Sequence, residues 1–272
     1  MREGLDVSKV LADVLYVGDG TVLKNAELSI SDGEITDVSE FRPQDPLPVN
    51  SVRAAIAAPG FIDLQINGAK DRQFNDLPDV ESVRAIAEGA RVGGTAHVLP
   101  TFITAPGRAY ELAGSAVREA QSAGIPGVLG LHLEGPFLNP ARAGIHDPAF
   151  MRTLEPEDLE RLSRISTGTL LVTLAPELQS PGVVPVLKKH GVVVFAGHSD
   201  ATAGQLCDAK KDGVSGVTHL FNAMSQSIAR EPGVVGGTMA DDDLYAGIIA
   251  DGHHVARDNL KIAAEVMPDR LC

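Results

Sequence analysis

From about Ile56 onward the chain alternates short apolar runs with helical patterns, and this alternation constrains the fold more than any other feature. The runs are IAAPGFIDLQING, TAHVLPTF, GVLGLHLEGP, TLLVTLAPE, VVVFAGHS, GVSGVTHLF and LYAGIIADG. Strands alternating with helices predict βα units and a parallel sheet, because a parallel neighbour can be reached only through a long crossover. Seven such strands, with Cys272 entering another, predict an α/β chain: a (β/α)8 barrel missing its eighth strand. The beginning of the chain follows a different rule. VLYVGDG, AELSISDG and EITDVSE alternate apolar with polar residues and are separated by Gly, Asp and Asn, which predicts antiparallel strands joined by hairpins. The expected division is a partial small β-sandwich domain over residues 1–55 and an incomplete barrel over residues 56–272.

Composition sets limits on function. With 272 residues, 44% hydrophobic and 22% charged, the chain can bury a large core. A net charge of −13 argues against nucleic acid or an anionic membrane as partner, since both require clustered cations, but leaves room for a small anionic substrate that meets local cations only. Cys207 and Cys272 show no framework spacing and follow no signal peptide, so a reducing cytoplasm is expected. No apolar run approaches the roughly 18 residues that span a bilayer.

Three of the apolar runs lead into metal-ligand residues: Glu134 in LHLEGPF, His198 in VVVFAGHSD and His219 in GVTHLFNAM. Each has an ordinary explanation. Glu134 before Gly-Pro reads as a solvated turn residue, His198 as a loop residue ahead of a helix capped by Ser199 or Asp200, and His219 as a core histidine. Together, at strand ends of a barrel where such enzymes place their chemistry, they predict a hydrolytic metal site. His132 shares a strand face with Glu134 and should lie one layer deeper. His97 and His190 read as structural or solvent-facing, Lys188 and Lys189 as a solvated helix end, and VVGGT as too weak a pattern for a phosphate loop.

The segments PGFIDLQINGA, VLPTFIT, LHLEGPFLNP, GIHDP, TLAPE, AGHSDAT, THLFNAM, REPG and IIADGHHV run from Pro59 to Val255. Through them the chain resembles the N-acetylglucosamine-6-phosphate deacetylases of the amidohydrolase superfamily, in order and spacing. The resemblance implies that Glu134, His198 and His219 hold one divalent ion, zinc with ferrous iron as the alternative. Gln65 and Asn67 stand where many amidohydrolases carry a His-x-His pair. Amides are poor replacements for imidazole as ligands, which favours a single ion.

The resemblance further implies that Ile145, His146, Asn222, Ala223 and His254 meet the substrate, with His146 near the reacting amide. Arg230 would bind the 6-phosphate across a subunit interface, where its planar fork suits a phosphate, and this implies a homodimer. The implied reaction hydrolyses the acetamido group of N-acetylglucosamine 6-phosphate to acetate and glucosamine 6-phosphate. The general acid and base expected of the family is an aspartate on the eighth strand, which would fall beyond Cys272. On that reading the chain carries the metal ligands without the proton-transfer residue, and Asp251 and Asp269 do not replace it. The alternatives are a non-catalytic remnant that binds metal and sugar phosphate, and an amidohydrolase of dihydroorotase or hydantoinase type, against which HLFNAM and REPG count.

Overall fold

The computed structural model describes residues 8–272. It divides into two compact units, the second beginning at Ile62. In the first, strands β1 (Lys9–Tyr16), β2 (Val22–Ser31), β3 (Glu34–Glu40) and β4 (Ser51–Ala57) form one sheet in the order β3-β2-β1-β4. β2 and β3 are joined through Asp32 and Gly33, both at positive φ (53° and 80°), the two-residue turn whose twist matches that of the strands. β1 and β2 are antiparallel as the turn residues predict. β4 departs from that expectation: it runs parallel to β1, reached through the longer connection 41–50. Because β4 pairs with β1, residues 56 to 61 remain with the small unit.

The second unit opens with β5 (Phe61–Ile66), whose first residue belongs to the small unit, and a short hairpin, β6 (Gly68–Ala69) with β7 (Arg72–Gln73). The chain then alternates α1 (Val80–Val92), β8 (Thr95–Ile103), α2 (Tyr110–Ser122), β9 (Gly130–Glu134), α3 (Pro156–Leu162), β10 (Thr169–Leu174) and α4 (Val183–Lys189). It continues with β11 (Val193–Ala196), α5 (Ala203–Asp212), β12 (Gly216–Val217), α6 (Gly233–Ala240), β13 (Tyr245–Ala246) and α7 (Arg257–Val266). The seven strands β5 and β8 to β13 lie in chain order in one sheet, and the pairings from β8 to β13 are parallel. This is the wall of a (β/α)8 barrel. After α7, Leu271 pairs parallel to Ala246 and Cys272 donates its N–H to the Ala246 carbonyl at 2.8 Å, so the chain enters the eighth position.

Burial explains the strand composition. β9 (GLHLE) is buried throughout and β10 (TLLVTL) in all but its first residue, as parallel strands covered on both faces require. Outward-facing side chains such as Leu131, Leu133, Val172 and Val194 pack against helix faces such as Val83, Ile86 and Val117 in the main core. Leu99, Leu171 and Phe195, with Leu64 against them, form a separate cluster. The helix before which Ser199 or Asp200 was expected to act as cap begins later, at Ala203. Its cap is Thr202, in a reciprocal capping box with Gln205, while the Ser199 hydroxyl donates to Glu177 and the Asp200 carboxylate accepts from Arg142. The VVGGT stretch forms most of α6.

Candidate metal centre

Glu134 is the last residue of β9, while His198 and His219 each stand two residues beyond β11 and β12. Both histidines have positive φ, 48° and 40°, an uncommon conformation for a residue with a Cβ that turns the chain sharply at the strand tip. Gly135, at φ 94°, follows Glu134 where an added Cβ would come within 2.2 Å of Thr104 Oγ1, so only glycine fits. The result is convergence. One ligand atom from each of Glu134, His198 and His219 lies within 4.8 Å of the others, and all three residues are buried.

The donor set fits a divalent cation. His198 Nδ1 lies 2.8 Å from the Arg142 carbonyl, which can only accept, so Nδ1 carries the proton and Nε2 presents a bare lone pair. That lone pair lies 3.0 Å from His219 Nε2 and 3.1 Å from Glu134 Oε1, while His219 Nε2 is 2.9 Å from the same oxygen. A single shared proton cannot satisfy three acceptors at such separations, whereas one cation can. Burial would raise the Glu134 pKa, yet the His198 and His219 imidazoles beside it hold its carboxyl well below the usual carboxylate range. His219 Nδ1 is buried without a hydrogen-bond partner among the described residues.

Two further histidines border the set. His146 is buried, its Nδ1 2.8 Å from Thr104 Oγ1, its Nε2 3.8 Å from Glu134 Oε2, and its ring centroid 4.3 Å from that of His198. Burial lowers its pKa to about 4 against the attraction of Glu134, so the imidazole is neutral at pH 7. His132 lies in the layer beneath, as its position two residues before Glu134 predicts. Its Nδ1 donates to the Leu64 carbonyl at 2.9 Å and its Nε2 meets Thr173 Oγ1 at 2.8 Å, joining three strands, and burial lowers its pKa to about 4.

A cavity of about 620 Å³ opens over the cluster. Its wall gathers Gln65, Asn67, Glu134, Ile145, His146, His198, His219, Asn222, Ala223 and His254, so all the candidates singled out in the sequence except Arg230 meet at one place. Arg230 sits at the tip of a turn closed by Ile228 and Glu231, and among the described residues it forms no ion pair; Glu231 instead accepts from the Ala203 and Gly233 N–H groups. The wall also contains Gln73, Asn75 and Asp76, which the sequence reading missed. They sit in and after the β6–β7 hairpin, and the available signal was RQFND, one buried aromatic, Phe74, flanked by polar residues. Asn75 continues the sheet by exchanging two hydrogen bonds with the backbone of Ile103, at 3.0 and 2.8 Å.

A parallel barrel wall with an acidic and two imidazole ligand atoms at the carboxyl ends of its strands defines the amidohydrolase class. No model of a protein family matches the chain. Among known proteins it is 34% identical to the N-acetylgalactosamine-6-phosphate deacetylase of Shewanella sp. (strain ANA-3), over 94% of this chain and 66% of that protein. It is 39% identical to the N-acetylglucosamine-6-phosphate deacetylase of Haemophilus influenzae, over 78% of this chain and 56% of that protein. The crystal structure of N-acetylglucosamine-6-phosphate deacetylase from Pasteurella multocida superposes with a TM-score of 0.90 at 32% identity, over 97% of this chain and 70% of that chain. The chain belongs to the N-acetylglucosamine-6-phosphate deacetylase family. It spans less than two thirds of the length of the curated relatives just named.

Proposed function

We propose that the protein deacetylates N-acetylglucosamine 6-phosphate, cleaving the amide C–N bond with one water to give acetate and glucosamine 6-phosphate. The observation that carries this reading is the convergence of Glu134, His198 and His219 at the floor of the cavity. These three residues would hold one divalent ion, zinc first and ferrous iron as the alternative. Gln65 and Asn67, on the same wall, offer amides where a second ion would need imidazole. When bound, such an ion supplies an acidified water and a polarised carbonyl.

The other residues bind and orient. Thr104 donates its hydroxyl hydrogen to His146 Nδ1, which leaves the neutral ring's Nε2–H to donate to the acetamide oxygen as that oxygen gains charge. Asn222, Ala223 and Ile145 face the sugar. His254 does so with its Nδ1 held by Asp251 at 2.7 Å, which directs Nε2 outward. Among the residues lining the cavity none is Lys or Arg, so a phosphate bound there needs a cation from elsewhere. Arg230 of a second subunit would supply it, as a bidentate partner in a homodimer. No helix among the described residues is long and apolar enough to cross a membrane, and both cysteines are free, which supports a cytoplasmic enzyme.

Acetate release from N-acetylglucosamine 6-phosphate, with the galactosamine epimer and unphosphorylated N-acetylglucosamine as competitors, tests the proposal. The expected result is zinc- or iron-dependent release with a preference for the phosphorylated glucose epimer. Preference for the galactose epimer would move the substrate to the activity named for the Shewanella relative. Equal turnover of the unphosphorylated sugar would remove the sugar phosphate from the proposal.

A further inference from the structure

Glu177 follows β10, two residues after the buried Ala175. Its Oε1 accepts from Asn139 Nδ2 at 2.9 Å and from the Asp200 N–H at 2.8 Å, and its Oε2 accepts from Ser199 Oγ at 2.7 Å. Asn139 belongs to the loop that leaves Glu134, while Ser199 and Asp200 immediately follow His198. One half-buried carboxylate therefore ties together the two loops that carry two of the three converging side chains.

We infer that Glu177 is a positioning residue that holds His198 in its strained backbone conformation and so sets the affinity of the site for its ion. A residue other than glycine at φ 48° is strained and persists only where its surroundings fix it on both sides. On one side the His198 carbonyl accepts from the Asn139 N–H at 2.9 Å, and Asn139 is itself held by Glu177. On the other, Ser199 and Asp200 are held by Glu177, and the Ser199 N–H donates to the Ala223 carbonyl at 3.2 Å. Without the carboxylate, the hydroxyl of Ser199, the N–H of Asp200 and the amide of Asn139 lose a common acceptor. His198 can then relax toward an ordinary φ, which swings Nε2 away from Glu134 and His219.

The inference rests on the reading of Glu134, His198 and His219 as a metal site, and its test separates the two. Zinc affinity is measured by competition with a chromophoric chelator on wild type, Glu177→Ala, Glu177→Gln and Gln121→Ala, with thermal unfolding of the metal-free proteins alongside. Gln121 is a matched control, because its amide bonds the Val128 and Thr167 carbonyls at the amino ends of the strands, away from the cluster. The expected result is a loss of roughly 10- to 100-fold in Glu177→Ala, the range typical of residues that support metal ligands. In Glu177→Gln the amide oxygen keeps Asn139 and Asp200 while the Ser199 hydroxyl turns to accept, so affinity returns to within about 5-fold of wild type. Gln121→Ala should lower the unfolding temperature and leave zinc affinity unchanged. Wild-type affinity in Glu177→Ala, or an equal loss in Gln121→Ala, overturns the inference. Failure of the wild type itself to bind zinc overturns the metal reading and the inference with it.

Discussion

The floor and the rim of the cavity are built differently. On the floor, Glu134, His146, His198 and His219 are all buried and each meets at least one further polar group at hydrogen-bond distance. On the rim, Ile145 is 89% exposed and His254 is open to solvent; Asp251, which holds His254, and Arg230, in a turn away from the cavity wall, are exposed as well. Ile145 and His146 are chain neighbours yet fall on opposite sides of this division. The difference separates residues that the fold itself orients from residues that it leaves open to solvent. Floor residues are fixed by strand tips and buried hydrogen bonds, so changing them should alter ion binding and stability. Rim residues should alter sugar-phosphate binding alone.

The largest effect should come from the floor. His198→Ala or His219→Ala should weaken zinc binding by more than about 100-fold in an equilibrium titration, beyond what loss of a supporting residue costs. A next, smaller effect should appear on acidification. His132 and His146 have pKa values of about 4 in the fold, lowered mainly by burial, against an ordinary 6.5, so the unfolded chain binds more protons between those values. Their contribution to stability is complete above pH 6.5 and is lost as pH falls toward 4. Urea unfolding of the metal-free protein should lose a few kcal/mol in that window; a flat profile would contradict neutral buried rings.

Asp158 probes the clamp at the far end of the segment that carries Ile145 and His146. Its buried carboxylate accepts from Arg152 through both terminal nitrogens, from Arg108 at 3.2 Å, from Tyr110 at 2.7 Å and from the Glu155 N–H at 3.0 Å. Burial works to raise its pKa, but Arg152 and Tyr110 hold it at about 2. Asp158→Ala should cost about 3 kcal/mol in urea unfolding, because it strands the partners of a buried carboxylate. Smallest of all, Arg230→Ala and His254→Ala should shift stability by less than about 0.5 kcal/mol. They should leave zinc affinity unchanged while raising KM for the sugar phosphate. A large loss of zinc affinity in His254→Ala would erase the distinction between floor and rim.

Much of this was legible in the sequence because parallel strands carry continuous apolar runs and barrel chemistry sits at their carboxyl ends. Glu134 could be placed at the end of β9, and His132 one layer beneath it, from alternation alone. His198 and His219 were found as residue types near strand ends, but their positive φ and the shortness of β11 and β12 leave no mark on periodicity. The parallel pairing of β4 was hidden because alternation reports which face is buried, not strand direction. Thr202 takes the role expected of Ser199 or Asp200 because the Ser199 hydroxyl is engaged by Glu177, across 22 positions, and the Asp200 carboxylate by Arg142, across 58, contacts that no local pattern reveals. For the same reason TLAPE was visible as a motif while the role of its glutamate was not. Gln73, Asn75 and Asp76 reach the cavity through a hairpin too short to show any period.

Zinc-edge X-ray absorption on the protein loaded with one equivalent of zinc tests the central claim most directly. The account predicts two imidazole nitrogens with the remaining donors oxygen, at about 2.0–2.2 Å, and that signature lost when His198 and His219 are both replaced by Ala. Sulfur at about 2.3 Å, a second zinc at about 3.5–4 Å, or an unchanged spectrum in the double variant would contradict it.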